Sequence, residues 1–321
     1  MDSETESRRL RAGGTAEITG NIIHTTMTEG SKLAAVRRHA VWYMVLFGAF
    51  WAIYLEIAEF LPPVYSIYEI LWWRYALHVL FTVICIAPKR GISLVKSQRP
   101  AMQFARGLLM VITSVAAVRS TSGMSIDDLR AVLWLAPLLV IALDRVLRRT
   151  PCPAAIWAAC IACWLGTVIV LDPHPGRNFQ SMFWAVVTAV SFAGYQMVTT
   201  SLRSDPATTS VFYSGLVVFL AMSAILPRVW RTPSGQAVLI FLAMGLAGWM
   251  CLLFLDKALH AMEPGAVTIY GYAHIVTDVV LRALINGRIP KQNAIFGSLL
   301  ILGAAVYAMA LAYRRRKVDA R

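Results

Sequence analysis

Ten apolar runs, each about 20 residues long, dominate this 321-residue sequence. A helical run of this length crosses the hydrocarbon core of a bilayer, and lipid accepts only segments whose backbone groups are hydrogen-bonded internally. Hydrophobic residues make up 58% of the chain and charged residues 15%, and the mean hydropathy is +0.62. The sequence therefore predicts an all-α membrane protein with ten transmembrane helices. The runs cover residues 41–59, 67–87, 104–122, 125–144, 153–171, 181–201, 208–226, 237–256, 265–285 and 293–313.

The segments that flank the apolar runs are polar. Residues 1–38 mix both signs of charge and lack the apolar centre of a signal peptide, so we interpret them as a disordered cytoplasmic tail. Residues 314–321 form a short basic tail, which we also expect in the cytoplasm. Between these tails we expect two five-helix units, at residues 39–173 and 178–313.

Charges in the loops predict the orientation, because Lys and Arg accumulate on the cytoplasmic side of a membrane. If the amino terminus is cytoplasmic, twenty of the 30 Lys and Arg residues fall on the inner side and eight on the outer side. Both termini are therefore predicted to be cytoplasmic. The net charge of +13 then reflects topology and attraction to anionic lipid headgroups, and nothing in the sequence indicates binding of nucleic acid.

The two halves of the chain resemble each other. At an offset of 141 residues, Trp51–Tyr54 aligns with Phe192–Tyr195, and Pro151 aligns with Pro290 at an offset of 139. Matches in the same order at a nearly constant offset indicate a duplicated five-helix unit. Because five is odd, the second copy enters the membrane from the opposite side. The pattern predicts an inverted repeat, as in many secondary transporters.

Five short motifs form a recognisable set: Arg74, Arg106-Gly107-Leu108-Leu109, Ala136-Pro137-Leu138, Phe192-Ala193-Gly194-Tyr195, and Ala258…Pro264…Tyr272…Gly287-Arg288-Ile289-Pro290. This set resembles the drug/metabolite transporter superfamily, EamA-like family, over about residues 40–315. The resemblance implies a ten-helix carrier in a bacterial inner membrane that moves small organic solutes by alternating access without ATP, often as an exporter. Import of a metabolite such as S-adenosylmethionine is the alternative. The turn Asn286-Gly287-Arg288 departs from the family, which usually has an acidic residue there.

Aromatic residues within the apolar runs are candidates for a substrate cavity, because their faces stack on planar or cationic solutes. Aromatic belts at the membrane surface are the alternative explanation. Tyr54 and Tyr195 occupy equivalent positions of the two repeats, which favours the cavity for this pair. The aromatic candidates for substrate binding are Trp51, Tyr54, Trp73, Trp134, Tyr195, Tyr213, Tyr270 and Tyr272.

Arg74 and His78 are further candidates for substrate binding, and they share one face of the second helix. A charged arginine inside a membrane requires a partner. One interpretation is an ion pair with one of the nearby acids, and the other is recognition of a substrate carboxylate by the guanidinium fork. The acids within reach are Glu56, Glu59 and Glu69.

The ninth apolar run contains Asp278 and, one turn later, Arg282. We predict that Asp278 carries a coupling proton, and a salt bridge with Arg282 is the alternative. His274 in the same run is a candidate for substrate binding or proton relay, and a buried, hydrogen-bonded histidine is the alternative.

An integral-membrane enzyme and a channel are the competing functions. The chain has no phosphate-binding Gly loop, nucleophile elbow or metal-ligand spacing, so we expect no ATP-driven pumping, no catalysis, no cofactor and no metal. We interpret Cys160-x-x-Cys163 as packing residues. Channels usually reach symmetry by oligomerising rather than by an internal repeat. The expected partners are a small-molecule substrate and membrane lipid, without nucleic acid, and a homodimer is left open.

Overall fold

The computed structural model describes residues 38–149, 151–174, 178–287 and 289–319, together with Val36. The tail predicted for residues 1–38 lies almost wholly outside this part of the chain. Short 3-10 turns extend α2 and α8, and a 3-10 segment, Thr268–Tyr272, joins α10 to α11. The helices are α1 (Arg38–Ala58), α2 (Ile67–Arg90), α3 (Pro100–Ser120), α4 (Ile126–Leu133), α5 (Ala136–Arg148), α6 (Ala154–Leu171), α7 (Phe179–Ser201), α8 (Ala207–Ile225), α9 (Gly235–Ala261), α10 (Pro264–Val267), α11 (Ala273–Asn286) and α12 (Gln292–Asp319).

Nine helical segments of the described chain are long and apolar enough to cross a membrane. The predicted span at 125–144 is not among them, because it divides into α4 and α5, which have 8 and 13 residues. Pro137 lies in the first turn of α5. A proline there cannot donate a helical hydrogen bond to the carbonyl of Leu133, and its ring crowds that carbonyl. The structure therefore differs from the continuous helix that the hydropathy of this run predicts.

The predicted ninth span, 265–285, also departs from one continuous α-helix. The four-residue α10 leads into the 3-10 segment Thr268–Tyr272, and α11 follows. Gly271 lies in this segment, where an added Cβ would be 3.1 Å from Met44 and 3.3 Å from Trp134. Glycine therefore allows the segment to pack tightly against α1 and against the break between α4 and α5.

The main helix contacts join the first half of the chain to the second. α6 packs along α12, α3 packs along α7, and α2 packs against both α8 and α9. α6 and α12 approach closely at two glycines, since a Cβ on Gly166 would lie 2.8 Å from the carbonyl oxygen of Gly297. Small residues at such contacts increase van der Waals packing where lipid supplies no hydrophobic drive for association. The interior of the protein is therefore formed at the seam between the halves.

Candidate functional site

A cavity of about 350 Å³ lies at this seam. Helices α1 to α4 provide most of its wall, and α7 and α9 provide the rest. The wall is mostly apolar, with a few polar groups, which is typical of sites for small organic ligands. Its aromatic residues are Phe47, Trp51, Tyr54, Tyr75, Trp134 and Phe192.

The cavity extends to one end of the helix bundle. Its lining includes Ala58, the last residue of α1, and Ile67 and Ile126, the first residues of α2 and α4. The α1–α2 and α8–α9 loops meet at this end, where the amide of Ser234 donates to Tyr65 Oη at 3.2 Å. We call this side, with the loops at 59–66, 121–125 and 226–234, the open end.

Arg74 of α2 lies in the cavity wall and is only 7% exposed. Its guanidinium carbon is 4.4 Å from the ring centre of Tyr54, 5.3 Å from that of Tyr75 and 5.5 Å from that of Trp51. No described residue accepts a hydrogen bond from its Nε atom. Among the described residues, no carboxylate forms an ion pair with it. The side chain is a buried cation surrounded by aromatic rings.

The acids that the sequence offers as partners for Arg74 are placed elsewhere. Glu56 and Glu59 of α1 and its following turn pair with Arg282 of α11, at 2.9 and 3.0 Å. Glu69 is fully buried in the first turn of α2 and forms no ion pair with Arg74. Of the two interpretations of Arg74, the internal ion pair finds no support among the described residues, and the recognition of a substrate carboxylate stays a prediction.

Asp278 of α11 belongs to the same charged network at the open end. Its carboxylate is 2.8 Å from Arg130 of α4 and 3.4 Å from Arg282. Arg130 also contacts Asp127, at 3.2 Å. The partner expected from the sequence, Arg282, is thus the more distant of two arginines. The proton-coupling role of Asp278 stays a prediction.

One helical turn from Met110 in the cavity wall, Arg106 of α3 is wholly buried. Its guanidinium donates to both carboxylate oxygens of Asp256 in α9 and to Tyr195 Oη in α7. Three more acceptors complete the set, namely Thr199 Oγ1 at 2.7 Å, Ser210 O at 2.6 Å and Ser214 Oγ at 2.6 Å. We call these six residues the Arg106 cluster. It ties α3 of the first half to three helices of the second.

Hydrogen bonds continue from the Arg106 cluster to the nearby loops. Gln103 donates to Ser210 Oγ at 3.0 Å and to Asp205 at 2.9 Å. Asp205 also accepts from the Gln98 amide at 2.8 Å and from Ser97 Oγ. Burial opposes ionisation of Asp205, but these donors hold its pKa below the ordinary value of 3.8. We call this side, with the loops at 91–99, 202–206 and 262–263, the closed end.

Four of the predicted substrate-binding residues, Trp51, Tyr54, Arg74 and Trp134, line the cavity. Three others lie in the predicted ninth span, and two of them contact Trp134. Tyr272 Oη donates to the Trp134 carbonyl at 2.7 Å, and the ring of His274 stacks on Trp134 with centroids 3.9 Å apart. Tyr270 is buried in the same 3-10 segment. Tyr272 and His274 therefore support the cavity wall rather than form it, and Tyr270 is not among the residues that line the cavity.

The remaining predicted residues contact other parts of the protein. Each contacts a residue that does not line the cavity. Trp73 stacks on Phe241 with centroids 5.3 Å apart, His78 Nε2 is 3.2 Å from the carbonyl of Val211, Tyr213 Oη donates to the carbonyl of Val95 at 2.8 Å, and Tyr195 belongs to the Arg106 cluster.

Asp256 and its pairing with Arg106 were not anticipated from the sequence. Asp256 is the last residue of the apolar run at 237–256, and Arg106 is near the start of another. Two opposite charges in separate apolar runs are a signal for pairing, since neither is tolerated alone in lipid. Several acids and arginines of this chain lie within apolar runs, so the sequence does not show which of them pair. Only the packing of the helices identifies Asp256 as the partner of Arg106.

The structure offers no grouped metal ligands in the part of the chain that it describes. Specifically, no three or more His, Cys, Asp or Glu side chains there are close enough to hold a metal ion. Cys160 and Cys163 are buried in α6, and Cys163 Sγ lies 3.7 Å from the carbonyl of Ile301 in α12. Their surroundings are those of small residues at a helix contact.

Known proteins resemble this chain in sequence and in fold, although no family model matches it. It is 22% identical to the S-adenosylmethionine uptake transporter of Rickettsia felis over 258 residues, which cover 79% of this chain and 85% of that relative. It is 23% identical to the riboflavin transporter of Rhizobium johnstonii over 251 residues, which cover 78% and 83%. A protein of known crystal structure superposes with a TM-score of 0.73 over 88% of this chain and 98% of its own. At 16% identity, that likeness shows the fold alone.

The names of the two relatives describe transporters rather than enzymes, and one of them is named for uptake. They give no support to the export direction that the family resemblance implies. Together with the nine apolar helices of the described chain, they support a coarse assignment. This protein is a multi-pass bacterial membrane protein that is similar to transporters of small metabolites.

Proposed function

We propose that this protein is a secondary transporter that carries a small organic metabolite across the inner membrane by alternating access. The observation that carries the proposal is the contrast between its two ends. The cavity reaches the open end, whereas the Arg106 cluster joins the two halves at the closed end. A carrier whose central site faces one side has this arrangement. A conducting channel needs a continuous path instead.

The charge distribution supports a cytoplasmic closed end. Glu56, Glu59 and Asp127 lie at the open end, where they neutralise nearby arginines. In this orientation both termini are cytoplasmic, and the structure corresponds to an outward-facing carrier. A carboxyl-terminal fluorescent protein that folds only in the cytoplasm is then bright, whereas periplasmic phosphatase activity from the same position contradicts the orientation. The cations at the closed end are Lys89, Arg90, Lys96, Arg99, Arg145, Arg148, Arg149, Arg203 and Lys257.

An inverted repeat of residues 39–173 and 178–313 is part of the proposal. If α4 and α5 together cross the membrane once, the chain has ten spans, and the interrupted spans are the fourth of each unit. Trp134 at one interruption contacts Tyr272 and His274 at the other. These residues follow Trp134 by 138 and 140 positions, close to the offset of 139 between Pro151 and Pro290. Residues near a twofold axis contact their own counterparts, which supports the repeat.

Uptake is the direction we propose, because one relative is named for it. The relatives also supply two test solutes, S-adenosylmethionine and riboflavin. Both contain a planar heteroaromatic ring, which suits an aromatic cavity wall.

Counterflow in vesicles tests the proposal. Purified protein is reconstituted into sealed liposomes that are preloaded with unlabelled S-adenosylmethionine or riboflavin, and entry of the labelled solute is measured. We expect saturable, transient accumulation. Conductance without counterflow identifies a channel, and chemical change of the solute identifies an enzyme.

Two tryptophans of α1 provide a matched pair of variants for this assay. Trp51 lines the cavity, whereas Trp42 is 58% exposed on the outside of the bundle. We expect Trp51→Ala to lose most of the counterflow and Trp42→Ala to retain it. Equal loss in both variants contradicts the assignment of this cavity.

A further inference from the structure

We infer that Arg74 is the anion-binding group of the cavity and that the transported solute carries a carboxylate beside a flat ring. The inference rests on the proposed function, because it assigns the chemistry of the cavity through which the solute passes. The guanidinium of arginine stays charged under all physiological conditions. A buried charge without a counter-ion is costly, so its retention at this position calls for an anion that enters from outside the protein.

The other arginine of the cavity wall provides the contrast. Arg130 lies 2.8 Å from Asp278 and 3.2 Å from Asp127, so its charge is already balanced. Three aromatic rings lie against the guanidinium of Arg74, and none of the described carboxylates pairs with it. Cation–π contacts stabilise the charge but leave the N–H groups without an anionic acceptor. Of these two arginines, only Arg74 lacks an anionic partner among the described residues.

The surroundings of Arg74 hold it ready for such an anion. An added Cβ at Gly248 of α9 would lie 3.0 Å from Arg74 Nε and 3.4 Å from its Cγ, so glycine at this position makes room for the side chain. The rings of Tyr54 and Tyr75 restrict the guanidinium from other sides. A planar, positioned guanidinium matches a carboxylate through two parallel hydrogen bonds. The rest of the solute then lies among the aromatic residues of the wall.

Binding measurements on the purified full-length protein test the inference with matched solutes. S-adenosylmethionine is compared with its decarboxylated form, tryptophan with tryptamine, and riboflavin serves as a ring solute without a carboxylate. We expect at least one carboxylate-bearing member of a pair to raise the unfolding midpoint of the wild-type protein. Its decarboxylated counterpart should not raise it. Arg74→Gln should weaken this binding by about 10- to 100-fold, and Arg74→Lys should weaken it less because it keeps the charge but not the fork.

The stability of the ligand-free variant separates a binding role from a structural one. Arg74→Gln removes a charge that has no described counter-ion, so we expect its unfolding midpoint without ligand to equal or exceed that of the wild type. A decrease larger than the loss of its three cation–π contacts explains indicates an internal anionic partner for Arg74 and overturns the inference.

Three other results overturn it: equal binding of both members of each pair, unchanged binding by Arg74→Gln, or binding of riboflavin but of no carboxylate-bearing solute. Counterflow in vesicles distinguishes these results from failure of the proposed function. If riboflavin counterflow occurs and Arg74→Gln does not change it, the protein is a transporter but Arg74 is not its anion-binding group. If binding depends on the carboxylate but no counterflow occurs, Arg74 binds anions but the protein is not a transporter of these solutes.

Discussion

Arg74 and Arg106 are both buried in neighbouring helices of the first half, yet their surroundings differ in kind. Arg106 is saturated with acceptors, including the carboxylate of Asp256, a hydroxyl of Tyr195 and three groups from α7 and α8. Arg74 has the faces of three aromatic rings and an unpartnered Nε atom. Arg106 therefore holds the two halves of the chain together, whereas Arg74 has no anionic partner among the described residues.

The comparison shows that burial alone does not identify a functional charge. A buried arginine whose hydrogen bonds are all made within the protein stabilises a conformation. A buried arginine that lacks an anionic partner is costly to the folded state, and a bound anionic ligand reduces that cost. The two sites are therefore expected to respond in opposite ways to loss of charge.

The largest expected effect follows from breaking the Arg106–Asp256 pair. Asp256→Asn or Arg106→Gln leaves a fully buried charge without its partner, which typically costs about 3–5 kcal/mol. We expect a strong decrease in the unfolding midpoint and in the monodisperse fraction after purification. The double variant Arg106→Gln/Asp256→Asn should recover much of the loss, because no isolated charge remains. Single variants as stable as the wild type contradict the role of this pair at the closed end.

A smaller effect is expected for Asp278→Asn, because its two arginines keep other acids. Arg130 retains Asp127, and Arg282 retains Glu56 and Glu59. We expect a stability loss of about 1–2 kcal/mol. The amide mimics a protonated acid, so the predicted coupling role implies that counterflow persists while accumulation driven by a pH gradient is lost.

Asp127→Asn is the control for Asp278→Asn, because Asp127 contacts the same Arg130 but its side chain is half-exposed. We expect it to keep gradient-driven accumulation. Unchanged pH-dependent accumulation by Asp278→Asn removes that residue from coupling.

Gly248→Ala tests whether the position of the Arg74 side chain matters for binding, because Gly248 packs against that side chain. The added methyl group forces Arg74 to shift by a few tenths of an ångström, and an off-rotamer side chain costs about 0.5–1.5 kcal/mol. We expect binding of a carboxylate-bearing solute to weaken about two- to tenfold. Fold stability should change little, because the higher helix propensity of alanine inside α9 offsets the strain. Gly235→Ala is the matched control on the same helix, because a Cβ there meets nothing within 4 Å. Equal effects of the two variants argue against a positioned Arg74.

The smallest effect at neutral pH is expected at Asp205. Hydrogen bonds lower its pKa in the folded state, so its stabilising contribution is complete above the ordinary value of 3.8 and is lost as the pH falls through the lower folded value. Unfolding midpoints of the wild type and Asp205→Asn should therefore differ at pH 7 and converge in strong acid. A pH dependence of transport between 5 and 8 does not arise from this group. A difference that grows on acidification contradicts this sign.

Hydropathy predicted where the helices lie, because the length of an apolar run and the cost of unpaired backbone in lipid leave few alternatives. It did not predict the interruption at Trp134, although Pro137 was present as a signal, since prolines are also tolerated inside transmembrane helices. Hydropathy cannot show which way a side chain faces once its helix is packed. This is why Trp73 and Tyr213 were candidates on the same grounds as Trp51 and Tyr54.

Charge pairing was the least predictable part of the site. Glu56 was a reasonable partner for Arg74 by proximity in sequence, but it pairs with Arg282 of a distant helix. Asp256 pairs with Arg106 across 150 residues of chain. Such partners depend on rotation and register between helices, which are determined by packing at contacts such as Gly166 with Gly297.

The hydrogen bond from Tyr272 to the carbonyl of Trp134 joins the break between α4 and α5 to the 3-10 segment that precedes α11. Backbone groups at membrane depth must form their hydrogen bonds within the protein. Here the hydroxyl of Tyr272 donates to the Trp134 carbonyl, which lies at the break between α4 and α5. Stacking of His274 on the indole adds a second tie at the same place. We therefore expect the break and the 3-10 segment to move together, because a bend at one strains or breaks its contacts with the other. We expect a swing of α5 relative to α4 to displace α11 as well.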